Sequence, residues 1–171
     1  MEKTGVLYQG YPSEEELGAV PGFPPAGRFR KGPVAVLECV QQIPCNPCEA
    51  ACPRKAITVG EDITALPVLD PDKCTGCGSC IAACPGQAVF VVDMGYSDNE
   101  ALVSFPYEFL PLPAEGDHVD VVSRAGEVVG RGRVTKVRRP KSYDRTAVIT
   151  VAVPKGIAHD VRSMARLRGQ T

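Results

Sequence analysis

Apolar residues along this chain fall in short runs broken by glycine and proline, a pattern of brief strands and turns more than of long helices. The longest run is AVFVV at 88–92. In the first half, VAVL (34–37), AITV (56–59), PVLD (67–70) and AVFVV read as strands, and CEAAC (48–52) and CIAAC (80–84) as helical turns. Between 101 and 153, four further strands are predicted: ALVSFPYEF, DHVDVVS, EVVGRGRVTKV and TAVITVAV. PAEGD, SRAGE and RRPKSYDR supply the turns between them, as in a small antiparallel barrel or sandwich. Gly130 and Gly132 interrupt the alternation of the third strand, where a bulge is expected. After Pro154 a helix is predicted, with Ile157, Val161 and Met164 on one face and Arg162 and Arg166 elsewhere.

Composition modifies this picture in two respects. Gly and Pro total 33 of 171 residues and Trp is absent, which agrees with short elements. Residues 1–32 hold much of that Gly and Pro and read as an extended arm, either hugging the surface or wrapping a partner through Tyr11, Phe23 and Phe29. No apolar segment follows the N-terminal lysine and no run approaches membrane-spanning length, so a soluble, cytoplasmic protein is expected. The net charge of −1 conceals an asymmetry. Residues 1–100 carry 7 Lys and Arg against 13 Asp and Glu, and residues 101–171 carry 12 against 7. Surfaces of opposite sign suggest different neighbours.

All eight cysteines lie between 39 and 84. Cys74, Cys77, Cys80 and Cys84-Pro85 follow C-x2-C-x2-C-x3-C-P. Shifted by 32 residues, Cys45, Cys48, Cys52 and Pro53 fall on Cys77, Cys80, Cys84 and Pro85, and Ala50, Ala51 and Ala56 fall on Ala82, Ala83 and Ala88. Only Cys39 breaks step, lying six residues before Cys45 where the second copy has three. The segment is a duplicated unit. Clustered thiols without an export signal are metal ligands more often than disulfides. Zinc suits the C-x2-C pairs but leaves both Cys-Pro steps unexplained.

The run resembles that of bacterial-type ferredoxins with two [4Fe–4S] clusters, in which the fourth cysteine of each run ligates the other cluster. The resemblance covers residues 33–93 and implies an α+β, ferredoxin-like, pseudo-symmetric core. It implies one cluster on Cys39, Cys45, Cys48 and Cys84, and another on Cys74, Cys77, Cys80 and Cys52. The alternative is that the longer loop leaves Cys39 out, giving a three-iron cluster or a bare iron, but a five-residue loop is long enough to span a cluster edge. Domains are expected at 1–32 (arm), 33–94 (two-cluster domain) and 95–171 (β module with C-terminal helix). A chain ending near Met94 is then expected to keep its clusters and lose its partner.

The rest of the chain offers no catalytic constellation. His118 and His159 stand alone, and the glycines of AGEVVGRGRV read as a hairpin, not a nucleotide loop. The basic stretch from Arg131 to Arg145 reads first as a solvated face and second as a docking surface for an acidic subunit. Tyr143 apart, it lacks the interleaved aromatics of a nucleic-acid site, so neither nucleic acid nor membrane is expected as a partner. Electron transfer is the function these residues support. In overall layout the chain is similar to ferredoxin-like subunits of bacterial flavin-dependent dehydrogenases of amino acids such as proline, or of amines. That resemblance implies a flavoprotein partner and a non-catalytic role within a hetero-oligomer, the alternatives being a freely diffusing carrier or a metal-stabilised structural or nucleic-acid-binding protein. Pro47, which removes an amide, and Glu49, which adds a charge, should make the first cluster the harder to reduce. Gly76 and Gly78 should let amides approach sulfur in the second.

Overall fold

Val34, Ala35, Val36 and Leu37 are all buried, and the β-branched composition of this stretch suits a strand covered on both faces. In the computed structural model, which describes residues 3–167, they form β1 (Val34–Leu37). The two copies of the repeat then exchange strands. β1 pairs antiparallel with β4 (Val89–Asp93) of the second copy. β2 (Ile57–Thr58) of the first copy pairs with β3 (Val68–Leu69), which leads into the second.

The expected strands of the second half form, as β5 (Glu100–Tyr107), β6 (His118–Val122), β7 (Val128–Arg138) and β8 (Ala147–Pro154). They do not make a separate module. β4 pairs with β5, and the whole is one seven-stranded antiparallel sheet in the order β1-β4-β5-β8-β7-β6-β9. The boundary expected at 94/95 therefore lies in the β4–β5 connection, inside a continuous sheet. β8 is the central strand, buried from Ala147 to Val153, and its one polar pair, Thr150 Oγ1 with Ser104 Oγ of β5, is self-satisfied at 2.8 Å. The bulge near Gly130 is present: Val121 faces Gly130 while Val122 faces Val128, leaving Val129 as the extra residue.

The predicted C-terminal helix is absent. After a 3-10 turn at Lys155–Ile157, residues Ser163–Met164 form β9 against β6. Arg162 N–H donates to Val122 O and Ala165 N–H to Asp120 O. Ile157, Val161 and Met164 had the spacing of a helix face, but the open edge of β6 offers backbone partners that a short segment bounded by Pro154 and Gly156 takes up instead.

The N-terminal arm is not an extended coil. It contains α1 (Val6–Gln9), α2 (Glu14–Ala19) and a 3-10 turn at Ala26–Lys31. Ser13 and Glu16 form a reciprocal capping box that starts α2. Leu17, Val20 and Phe29 are buried, Phe29 as part of the main apolar core, where it meets His159 edge-on at 4.8 Å. Phe29 is therefore unavailable as an anchor for a partner. Among the described residues, no helix is long and apolar enough to cross a membrane.

Candidate metal centre

Both Cys-Pro steps close the same way. Proline cannot continue the helical turn, so after α3 (Pro47–Ala50) and α4 (Ser79–Ala83) the chain reverses. Lys55 N–H donates to Cys52 O and Gln87 N–H to Cys84 O. Lys55 and Gln87, 32 residues apart, both adopt positive φ, 50° and 52°. That left-handed step aims the next amide at sulfur. Ala56 N–H donates to Cys52 Sγ at 3.2 Å and Ala88 N–H to Cys84 Sγ at 3.4 Å. A third such bond runs from Ala35 N–H of β1 to Cys74 Sγ at 3.3 Å.

The strand exchange sorts the thiols into two groups. Cys39 has Cys84 and Cys45 as thiol neighbours, and Cys48 has the same two. Cys80 has Cys74, Cys77 and Cys52. One group is thus Cys39, Cys45, Cys48 and Cys84, and the other is Cys52, Cys74, Cys77 and Cys80, with Cys52 and Cys84 each standing among thiols of the opposite copy. Burial, followed by neighbouring cysteines, pushes the Cys48 thiol up to about 11 and the Cys80 thiol up to about 12. Burial likewise raises Cys39. Thiolates crowded in this way repel one another unless cationic iron sits among them, because a metal deprotonates its thiol ligands outright. Amide donors already aimed at three of the sulfurs are what a thiolate-ligated cluster uses. All eight cysteines are free, so the donor set fits iron–sulfur ligation.

Surroundings differ between the groups. Cys39, Cys45 and Cys84 line a cavity of about 350 Å³ shared with Tyr11 of the arm. The cavity among Cys52, Cys74, Cys77 and Cys80 is about 20 Å³. In the second loop, Gly76 and Gly78 have φ of +65° and +80°. A Cβ on Gly76 would meet Pro33, and one on Gly78 would meet the Arg138 guanidinium. Their role is therefore close packing as well as a left-handed turn. Pro47 occupies the first turn of α3, where a missing amide costs the helix least. Glu49 Oε2 accepts from Val59 N–H at 2.9 Å and Gly60 N–H at 3.3 Å, so its carboxylate is held on the backbone after β2.

Four charged residues at these sites escape a reading by sequence. Arg28, buried, donates Nη2 to Cys74 O at 2.9 Å and Nε to Pro71 O at 2.6 Å, fixing the entry to the second loop. Glu38, next to Cys39 and 7% exposed, receives Arg124 on both oxygens and Arg162 Nε at 2.7 Å. Arg162 Nη2 lies 2.7 Å from Glu38 Oε1 but off the line of a hydrogen bond. Burial brings Arg162 down to about 10, with Glu38 pulling it back up. Both arginines line the cavity that holds Cys39, Cys45 and Cys84. The available signal was local: a charge directly after the buried VAVL strand demands a partner.

Residues 38–88 match the family model of the 4Fe-4S dicluster domain. No curated protein matches the chain, and no solved structure does. The chain therefore contains a 4Fe-4S ferredoxin-type domain.

Proposed function

We propose, taking that ferredoxin-type domain as premise, that the protein transfers single electrons through two [4Fe–4S] clusters, as a non-catalytic subunit of an oxidoreductase complex. Cys39, Cys45, Cys48 and Cys84 hold one cluster, and Cys52, Cys74, Cys77 and Cys80 hold the other. The grouping of the thiols, four and four with Cys52 and Cys84 exchanged, is the observation that carries this proposal. Each cluster, when bound, takes up and returns one electron without change of ligands.

The chain's own residues set the conditions for that step. Ala35, Ala56 and Ala88 donate amides to the sulfurs, which spreads negative charge and favours the reduced state. Arg124 and Arg162, offset by Glu38 and Asp160, place a charge network beside Cys39 and Cys84. Arg28 and the α3 and α4 turns hold the loops still, so that little rearrangement accompanies charge transfer.

The electron source is a flavoprotein dehydrogenase acting on an amino acid or amine, with which this chain forms a hetero-oligomer. Support comes from the layout of the chain, in which the ferredoxin-type segment is embedded in a larger sheet and capped by an arm.

Anaerobic purification tests both parts. Protein carrying two cubanes contains about eight irons and about eight sulfides, and a subunit co-purifies with a flavoprotein at constant stoichiometry. Zinc as the main metal would end the electron-transfer proposal. A chain that purifies alone with both clusters intact would instead be a diffusing carrier.

A further inference from the structure

Among the eight cysteines, Cys77 alone is exposed, and it belongs to the second thiol group. The basic stretch is folded onto it. Arg138, the last residue of β7, donates Nη1 to Cys77 O at 2.7 Å. The 3-10 turn at Lys141–Tyr143 packs against α4, which begins just after Cys77. Between residues 136 and 145 stand five Lys and Arg against the single Asp144, in a chain whose net charge is −1. Arg139, Lys141 and Arg145 are exposed. Among the described residues none of the three makes an ion pair. Beside them Phe109 and Leu110 are 50% and 68% exposed, and these two share a groove with Arg139, Arg145 and Glu108, whose carboxylate accepts from Thr146 Oγ1 at 2.9 Å.

We propose that this surface, with Phe109 and Leu110 flanked by Arg139, Lys141 and Arg145, is the docking site for an acidic redox protein, which exchanges electrons with the second cluster across Cys77. The proposal rests on the electron-transfer function above. Three observations select a protein with carboxylates around an apolar contact. Unpaired cations need an anionic complement. An apolar centre with an arginine-rich rim is the anatomy of a protein interface. The aromatics of the patch are already engaged within the chain: Tyr143 lies 6.0 Å from the Arg138 guanidinium, and Phe109 lies 5.6 Å from the Arg166 guanidinium and 5.6 Å from the Tyr107 ring. Arg138 links the patch to the ligand loop, so a carboxylate-bearing partner seated here lies next to the loop that carries the exposed cysteine.

The test uses cluster-loaded protein and, as probe, an acidic flavodoxin. Affinity is measured by calorimetry at low and high salt, alongside a short DNA duplex and anionic lipid vesicles. Wild type is expected to bind the flavodoxin at low salt and release it at high salt. Reversing Arg139, Lys141 and Arg145 to Glu is expected to weaken binding about tenfold or more, with visible and EPR spectra unchanged. Arg131→Glu, on β7 but roughly 20 Å along the strand from Arg138, is expected to leave binding intact. If the triple variant loses its clusters, carbodiimide cross-linking of wild type decides: an adduct on Lys141 supports the site, and adducts only elsewhere overturn it. Unchanged binding in the triple variant, or preference for DNA or vesicles, also overturns it. Clusters that are absent or do not reduce would refute the electron-transfer function itself, a separate outcome read from the spectra and not from binding.

Discussion

Arg162 meets Glu38 across 124 residues of chain, Nε to Oε1 at 2.7 Å, in a site where both side chains are 5% exposed. Arg124 closes on the same carboxylate from the β6–β7 turn. The residue preceding the first cysteine is thereby tied to the last strand of the sheet. Breaking a buried pair by removing one partner leaves an uncompensated charge, which costs about 3–5 kcal/mol. Glu38→Gln and Arg162→Met are each expected to lower the melting temperature by roughly 6–20 °C for a chain of this size. Replacing all three charges by apolar residues of similar volume is expected to recover most of the loss. Thermal unfolding of the three variants checks the ordering. Equal stability of the single variants and wild type would mean that the network is not formed.

The exchanged cysteines make a prediction about pairs of variants. Cys84→Ser is expected to perturb the same EPR signal as Cys39→Ser, although Cys84 belongs to the second copy. Cys52→Ser is expected to perturb the same signal as Cys74→Ser. The measurement is the EPR spectrum of the reduced protein for each of the four variants. Pairing by copy, Cys84 with Cys74 and Cys52 with Cys39, would contradict the grouping described above.

Sequence alone suggested that a chain ending near Met94 would keep its clusters. The sheet argues the reverse. Without residues 95–171, β4 loses β5 along one edge. In the same truncation α4 loses its packing against β5 and β8, and the Cys77 carbonyl loses Arg138. Glu38 is left buried beside Cys39 with neither arginine. Truncation after Met94 is expected to abolish the visible absorption of the clusters, checked by iron content and absorbance after anaerobic reconstitution. Retention of both clusters would show that the first 94 residues fold alone.

Positive charge stabilises the more negative, reduced cluster and so raises its potential. Arg124→Gln is therefore expected to lower the potential of the cluster on Cys39, Cys45, Cys48 and Cys84 and to leave the other in place. Glu49→Gln is expected to raise the first by a smaller amount, because its carboxylate is already held by two backbone amides. The second group receives two of the three observed amide-to-sulfur bonds, at Cys52 and Cys74. It is accordingly expected to remain the easier to reduce. EPR-monitored titration of wild type and both variants gives the signs. An upward shift in Arg124→Gln would rule out an electrostatic role for that residue.

How much of this was legible beforehand follows from the range of each interaction. The 32-residue repeat and the eight strand-forming segments before β9 are encoded locally, in cysteine spacing, Cys-Pro steps and β-branched runs, and so they are visible in the sequence. The positive φ of Lys55 and Gln87 was hidden because neither position is glycine. Long-range pairing is not written in local pattern. That β4 would continue into β5, that Arg162 would reach Glu38, and that β6 would draw Ser163 and Met164 into β9 all depend on edges that exist only once the sheet has formed. The last case shows the competition directly. The 157–161–164 spacing fits a helix, but backbone groups at an unfilled strand edge outweigh a short and weak periodicity. Arg28 was read as part of a surface arm, yet its guanidinium satisfies carbonyls of Gly32, Pro33, Pro71 and Cys74 at once.

The place of β8 at the centre of the sheet has a consequence for biosynthesis. Chains grow from the N-terminus at about 5–20 residues per second. All eight cysteines have been synthesised by residue 84, while the strand that braces α4 is not made until residues 147–154 and the second arginine on Glu38 not until residue 162. That interval lasts roughly 4–16 seconds at such speeds. Throughout it the nascent chain carries eight reduced thiols without the cover they have in the finished protein. Stable iron–sulfur loading waits until this later part of the sheet is made, in keeping with the loss of clusters expected on truncation after Met94. Oxidative stress during synthesis should accordingly damage this protein more than the same stress applied once it is complete.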